Sequence, residues 1–363
     1  MKRDLPSVHQ WPPDYFTIPD KFEGKPYDHP LAWICTMGCS WYKTGGCTMC
    51  NFGSIDVKTI PDYARDQTRE IIRRVHTELG EKPNLDLLVL GSSFDTAEIP
   101  TESMLAMFTE ATRFPWIRYI TTEARPDHLS HAKLEGVKKL LYPILFGVGF
   151  GLESANPLIR ELCVNKGIKE GDSSAAIQLM NQLDIQSQVH ILLKPIFVSE
   201  AEAIDDALST TKSAILYGGR RIVLMVNSVK RHNVQHSLYQ AGMYRPPWLW
   251  SIREALNRIK DETANIDIIN VYGFKSGVEI VRTAHNCGKC DEEFLFALDH
   301  FNYTADLSRL NDISCPCEYD WRTALEQKND SLVKRIRAGC LYLGHNVIGD
   351  AFSEEMLDPR LRL

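Results

Sequence analysis

The 363-residue chain is 44% hydrophobic and 24% charged with a net charge of −6, the makeup of a globular protein with room for one large domain or for a main domain with an appendage. The negative balance gives no support to general nucleic-acid affinity, which needs clustered Lys and Arg; Lys43, Arg220, Arg221, Lys230 and Arg231 are the residues from which a local basic patch would have to be built. No apolar run approaches bilayer-spanning length, and Met1–Phe16 lacks the apolar stretch of a secretory signal, so a reducing, cytoplasmic setting and no membrane association are expected.

In chain order, the first predicted strand is Leu31–Met37, followed by a helical pattern over Asp62–Glu78. Strand Leu85–Ser92 then precedes helix Ser103–Thr112, and strand Ile117–Glu123 precedes helix Ala132–Leu141. Next come strand Ile144–Leu152 with helix Ser173–Gln182, and strand Val189–Ile196 with helix Glu200–Leu216. That last helix opens on Ser199 with Glu202 three places on, a capping-box start. Strands Ile222–Ser228 and Ile266–Tyr272 complete the series. Several strands are nearly continuous apolar runs, as parallel strands covered on both faces are. Six or seven β/α units in a row predict a parallel α/β architecture with right-handed crossovers. The even spacing fits a partial or full (β/α) barrel better than a doubly wound sheet, and chemistry in such barrels sits at the carboxyl ends of the strands. From His285 the alternation stops. Residues 1–284 are therefore expected to form the barrel domain with an N-terminal extension, and residues 285–363 a C-terminal helical cap.

Ten cysteines are distributed unevenly: four lie between Cys35 and Cys50 and four between Cys287 and Cys317. In a reducing compartment such groups indicate metal or catalysis more than disulfides. Cys163 and Cys340 stand alone and read as small buried apolar residues. The first group follows the first strand as Gly38-Cys39-Ser40-Trp41, then Gly45-Gly46-Cys47-Thr48-Met49-Cys50. The Cys47-x2-Cys50 pair lets two thiolates reach one centre, nearby glycines let the backbone wrap it, and Cys39 adds a third arm. Spacing alone fits either an iron–sulfur cluster or, with Cys35 as a fourth ligand, a structural zinc ion. The position after the first barrel strand, at the mouth, favours the cluster.

This loop resembles that of the archaeosine-synthase radical S-adenosylmethionine enzymes, relatives of the elongator-type radical proteins. Leu90-Gly-Ser-Ser-Phe-Asp95, Glu123-Ala-Arg125-Pro126, Gly151-Leu-Glu153 with Asn165-Lys166-Gly167, Leu193-Lys194-Pro195, Tyr244–Trp250 and His285–Asp291 resemble further blocks of that family. The resemblance implies a radical-type barrel in which Cys39, Cys47 and Cys50 hold a [4Fe–4S] cluster and Cys35 stands outside the ligand set. The open iron would chelate S-adenosylmethionine, whose reductive cleavage releases a 5′-deoxyadenosyl radical. A ferredoxin or flavodoxin would supply the electron. The implied reaction is carbon–nitrogen cleavage in a lysine-modified 7-deazaguanine of tRNA, after a separate partner protein has installed the lysine. Two other readings stand beside it: a radical enzyme acting on a small metabolite, in which an auxiliary cluster binds substrate or donates sulfur, and a noncatalytic zinc scaffold.

For the cofactor, Gly91, Ser92 and Ser93 are expected to approach the methionine amino group with carbonyls and hydroxyls, Gly-Ser-Ser standing where the family more often has Gly-Gly-Glu. Glu123 and Glu153 at strand ends suit ribose hydroxyls and an ammonium, and Arg125 and Lys166 suit a carboxylate; an internal ion-pair network is the alternative for all four. Lys194 should meet an anion or an acidic partner near the mouth, since an unpaired buried ammonium is costly. Pro246, Pro247, Trp248 and Trp250 fit packing of a helix start better than base stacking. Cys287-x2-Cys290 and Cys315-Pro316-Cys317 supply four thiolates to a second centre, zinc or an auxiliary [4Fe–4S] cluster, and a pair separated by one proline is tight for either.

Overall fold

A computed structural model describes residues 14–54, 56–275, 279–327 and 329–361; the greater part of the Met1–Phe16 stretch lies outside them. The strands are β1 (Asp14–Phe22), β2 (Lys25–Ile34), β3 (Asn84–Val89), β4 (Tyr119–Glu123), β5 (Leu145–Glu153), β6 (Gln186–Leu193), β7 (Arg221–Val226), β8 (Val229–Lys230), β9 (Ile269–Tyr272) and β10 (Ile280–Arg282). The helices used below are α1 (Ser40–Thr44), α2 (Pro61–Leu79), α3 (Thr101–Ala111), α4 (His131–Leu141), α5 (Asp172–Gln182), α6 (Glu200–Leu216), α7 (Val234–Gln240), α8 (Leu249–Thr263), α9 (Asp291–Thr304), α10 (Ser308–Asp312), α11 (Glu318–Glu326) and α12 (Leu332–Leu343).

Eight strands form one sheet in the order β1-β2-β3-β4-β5-β6-β7-β9. From β2 to β9 every pairing is parallel, and β1 joins as an antiparallel hairpin partner of β2. The reason is visible in the burial: every residue of β3 is buried, as are all of β5 after Leu145. Strands with no solvent face need helices on the outside and side chains within, which is the parallel crossover arrangement. The core runs through Ile34, Leu87, Phe150 and Ile191 on the strands and Ile71, Met107, Ile177 and Leu256 on the helices. Ser199 caps α6 with the reciprocal bonds to Glu202 that the sequence foretold.

The sheet is a nearly closed barrel whose last seam is made by side chains. The edge of β9 that pairs with no strand is satisfied by Asn302 of α9: its amide oxygen accepts from Val271 N at 2.8 Å and its amide nitrogen donates to Val271 O at 2.9 Å. A loose edge is thereby blunted. Below the seam, at the amino ends of the strands, Asp20 of β1 receives Arg221 Nη2 at 2.7 Å and Asn270 Nδ2 at 3.2 Å. His29 bridges Asp20 and Asp86, 3.0 Å from each. Burial disfavours the charge on His29, but the two carboxylates more than offset that and push its pKa up to about 9. This network spans β1, β2, β3, β7 and β9 and ties the first strand to the last.

Helices α9 to α12 follow the last strands; α9 packs on β1, β2 and β9, and the second cysteine group lies just before α9 and between α10 and α11. The basic patch does not form: Arg221 is spent on Asp20, Arg220 pairs with Asp184, Arg231 with Glu279, and Lys43 donates to Met37 O. Four of the five cations are thus taken up by local partners, and Lys230 stands over the Phe52 ring.

Candidate active site

At the carboxyl ends of the strands a cavity of about 280 Å³ opens, and Cys39, Cys47 and Cys50 all line it. The loop that carries them is clamped from three sides. Thr48 N and Oγ1 donate to Val164 O and Cys163 O, and Asn165 Nδ2 donates to Gly46 O at 2.8 Å. Trp41 Nε1 donates to Asn165 O at 2.9 Å, and the indole lies so close to Gly167 that any side chain there would run into it; Gly167 also has φ +61°, a conformation glycine adopts without strain. On the far side Gln235 N of α7 donates to Thr48 O, and Asn51 Nδ2 donates to Arg231 O. Burial pushes the Cys39 thiol up to about 11 and Cys47 up to about 12, and raises Cys50 also. Three thiols so placed hold protons until an electrophilic centre takes them as thiolates.

A third clamp is Glu98, absent from the sequence-based expectations. Its buried carboxylate accepts Ser40 N at 2.8 Å and also Ser92 N, joining the residue after Cys39 to the end of β3. Its pKa is raised, mainly by burial. In sequence Glu98 sits between loop residues with no periodic pattern, so nothing marked it.

Of the residues expected to contact a cofactor, Gly91, Glu123, Arg125, Glu153 and Lys166 line this cavity with the cysteines. Ser92 and Ser93 do not. Ser92 Oγ accepts Arg125 N at 3.1 Å and lies 3.0 Å from His128 Nδ1, while Ser93 Oγ bonds Thr122 Oγ1 at 2.6 Å. Their hydroxyls are turned into the protein, toward Thr122 of β4 and the loop after it, which leaves the backbone groups of this segment for the expected cofactor contact.

Glu153 ends β5 with φ +62°, and the register against β6 shifts between Gly151 and Glu153. Such a bulge re-aims a side chain next to a site, and here the carboxylate turns back to meet Lys166 Nζ at 2.7 Å. Gly151 lies beneath the pair, where a Cβ would strike both Glu153 and Lys166. Burial disfavours the Lys166 ammonium, but Glu153 and then Cys47 hold its pKa above the ordinary value. Arg125 is heavily engaged: it donates to Lys166 O at 2.9 Å, to Gly167 O at 3.0 Å and to both oxygens of Asp127 at 3.1 Å, and its guanidinium lies over Trp41. It positions the Lys166 loop against the cysteine loop. Glu123 lies deep in the cavity, and burial lifts its carboxyl to about 7, helped by Asp86.

Two further groups line the cavity that the sequence did not place there. Lys230, on the two-residue strand β8, stands over the Phe52 ring at 5.7 Å; burial lowers its pKa, and the largest opposing influence is Cys50. His190 of β6 lies 3.0 Å from the Gln188 amide and is driven to about 4 by burial, so it is neutral. Their signal was a polar residue at or just after an apolar strand, which also picks out Lys194. There the structure gives another outcome: Lys194 pairs with buried Glu200, whose other oxygen accepts Ser251 Oγ at 2.6 Å, outside the cavity. Trp250 is fully buried against Phe294 and Trp321, and Trp248 lies under Arg245, so this block packs a helix start. Cys35 is buried with Val57 and Leu90, apart from the cavity lining.

No family model matches the chain. An uncharacterized protein of Methanocaldococcus jannaschii is 31% identical over 305 residues, covering 82% of this chain and 82% of that protein. The archaeosine synthase subunit beta of Methanosarcina acetivorans is 28% identical over 290 residues, 80% of this chain and 82% of its own length. The chain belongs to the archaeosine-synthase-like family of radical S-adenosylmethionine enzymes. Among solved structures, Elp3 of Methanocaldococcus infernus, lacking its N-terminus, matches with a TM-score of 0.51 at 15% identity, over 75% of this chain and 63% of that one. That likeness shows the shared barrel. For a radical enzyme of this family the cysteine loop, the strand-end carboxylates and Lys166 fall where the barrel places chemistry. No helix among the described residues is long and apolar enough to cross a membrane.

The second group is equally well gathered. Cys287, Cys290, Cys315 and Cys317 bring their four sulfurs within 4.8 Å of one another. In the Cys-Pro-Cys pair, expected to be tight, each member has a contact in the other motif: Cys315 lies 3.7 Å from Cys287, and Cys317 lies 3.7 Å from Cys290. None of the four lines the barrel cavity.

Proposed function

We propose that Cys39, Cys47 and Cys50 hold a [4Fe–4S] cluster that binds and reductively cleaves S-adenosylmethionine, and that the radical so made acts on a lysine-modified 7-deazaguanine of tRNA to break its carbon–nitrogen bond and leave an amidine. The observation that carries the reading is the convergence of one loop's three thiols with Glu123, Glu153 and Lys166 in one cavity at the barrel mouth. The donor set fits a cluster: three soft thiolates leave one iron of four free for an amino-acid chelate. Among the described residues these three do not appear in a set tight enough for a single ion, whereas the C-terminal four do. When bound, the cofactor supplies a carbon radical able to take a hydrogen atom.

The chain's own residues do the rest. Lys166 and Glu153 form a paired, desolvated wall beside Cys47 that can exchange partners with a zwitterion without a net change of buried charge. Glu123, near neutral at its raised pKa, can donate to a hydroxyl or accept from an ammonium. Lys230 has its ammonium among Cys50, Glu153 and Glu123 without a close carboxylate contact, which suits the carboxylate of an amino-acid group. Neutral His190 and Gln188 offer uncharged hydrogen bonds deeper in the barrel. Enclosure keeps a reactive radical near one target bond and away from water. The name archaeosine synthase subunit beta, carried by a relative, supports an archaeosine-type product and a partner subunit; in this reading the partner adds the lysine and a ferredoxin or flavodoxin supplies the electron.

The test is anaerobic reconstitution with iron and sulfide, reduction by dithionite, and incubation with S-adenosylmethionine and tRNA carrying the lysine adduct. The expected products are 5′-deoxyadenosine and a base that has lost the lysine carbon chain while keeping its nitrogen. Formation of 5′-deoxyadenosine with the adduct untouched would remove the tRNA reading and leave the radical chemistry standing.

A further inference from the structure

The spacing of sulfurs distinguishes the two metals that four cysteines could hold. In a tetrahedral zinc site with Zn–S near 2.3 Å, neighbouring sulfurs fall about 3.8 Å apart. A four-iron cube carries each cysteine on a different corner iron, so its sulfurs stand roughly 6 Å apart. Here the whole set of Cys287, Cys290, Cys315 and Cys317 lies within 4.8 Å, with two of the contacts at 3.7 Å. These separations exceed a disulfide bond nearly twofold, and all four cysteines are free. We infer that this group is a closed mononuclear tetrathiolate zinc site that ties the starts of α9 and α11 together beside α8, and not an auxiliary iron–sulfur cluster.

The surroundings fit four thiolates around one dication. Cys290 is the residue from which α9, 14 residues long, starts, and Cys317 is the one from which α11 starts. Helix amino ends favour anionic sulfur. Two side-chain donors aim at the buried pair: Trp250 Nε1 is 3.3 Å from Cys317 Sγ and Asn286 Nδ2 is 3.4 Å from Cys290 Sγ. Donors of this kind orient ligand sulfur and lower the charge it carries. Asn286 also accepts Leu249 N at 2.9 Å and Trp250 N at 3.3 Å, so the same amide caps the start of α8 and touches a ligand. The site therefore joins the starts of α8, α9 and α11 at one point. Because zinc with four cysteines has no open position, and because none of the four borders the cavity, its work is structural.

The test is metal analysis of the full chain purified without oxygen, before and after iron–sulfide reconstitution. Roughly one zinc and four irons per chain are expected after reconstitution, with X-ray absorption at the zinc edge showing sulfur neighbours only. Cys47→Ala should lose the iron and keep the zinc. Cys287→Ser with Cys315→Ser, the two more exposed members, should lose at least four-fifths of the zinc and keep the four irons. Roughly eight irons with no zinc, or a native chain with neither metal at the cap, would overturn the inference. The result is separable from that for the radical reading: a chain with one zinc and no iron keeps the cap site and removes the cluster.

Discussion

Replacing Lys166 by methionine should weaken the fold as well as the activity, and the size of the loss follows from what Lys166 leaves behind. Its ammonium sits 2.7 Å from Glu153 Oε1, both side chains about a tenth exposed. With the cation gone, Glu153 is left on the cavity wall with Glu123 as a like-charged neighbour and Lys230 as a remaining cation whose field reaches it. Breaking one member of such a buried pair costs about 3–5 kcal/mol. At a urea slope of about 3 kcal/mol/M this lowers the unfolding midpoint by roughly 1–1.7 M. Glu153→Gln should cost less, since glutamine can still accept from Lys166. The double variant Glu153→Gln with Lys166→Met removes both charges and should recover about half of the loss from Lys166→Met. Equilibrium urea unfolding of the four proteins, followed by far-ultraviolet circular dichroism under argon, measures the cycle. Single-variant losses under about 0.5 kcal/mol with no coupling would show that the pair is solvated and would refute the electrostatic reasoning for this wall.

Cys39→Ala, Cys47→Ala and Cys50→Ala should each abolish 5′-deoxyadenosine production, whereas Cys35→Ala should leave it intact; equal damage from Cys35→Ala would redraw the ligand set. Glu123 gives a pH signature. Its carboxyl is raised from 4.5 to about 7 by burial, so the folded chain holds a proton that the unfolded chain has released. The stability it contributes is full below pH 4.5 and is lost as pH rises through 7, a fall of about 3 kcal/mol. Glu123→Gln should remove that fall, and urea midpoints at pH 5 and pH 8 that change equally in both proteins would disprove it. Lys230→Met should raise the concentration of S-adenosylmethionine or substrate giving half-maximal rate by tenfold or more with iron content unchanged; an unaltered half-saturation for both would exclude Lys230 from carboxylate binding.

How much of this was legible in the chain depended on whether the physics acted locally. The parallel strands declared themselves because a strand covered on both faces must be apolar along its whole length, and β3, β5, β6 and β7 lie within a few residues of where their runs put them. The capping box of α6 is a four-residue event and was equally plain. The antiparallel strand β1 was not seen, since Asp14–Phe22 alternates irregularly and gains its place from pairing with β2. The ribbon of β8 and β10 is two to three residues a side and offers no period to detect. Lys230 therefore looked like one of five scattered cations, although it is the one placed at the cavity.

The same distinction explains the serines and Glu98. Read along the chain, Gly91-Ser92-Ser93 was the polar end of a strand, and hydroxyls there suit a cofactor. In three dimensions the carboxylate of Glu98 turns back to bond Ser92 N and Ser40 N, and the hydroxyls join β3 to the β4 end and the loop after it. A cysteine loop that must hold three thiols in register needs anchors on rigid neighbours, and this one takes them from β3 through Glu98 and from the loop after β5 through Asn165, Trp41 and Thr48. Those anchors are separated from the loop by 58 and more than 100 residues of chain. No window along the sequence contains both partners, so the ligands were legible and the frame that fixes them was not. A loss of Glu98 should consequently loosen the Cys39 arm alone, while a loss of Asn165 loosens the Cys47 and Cys50 arm.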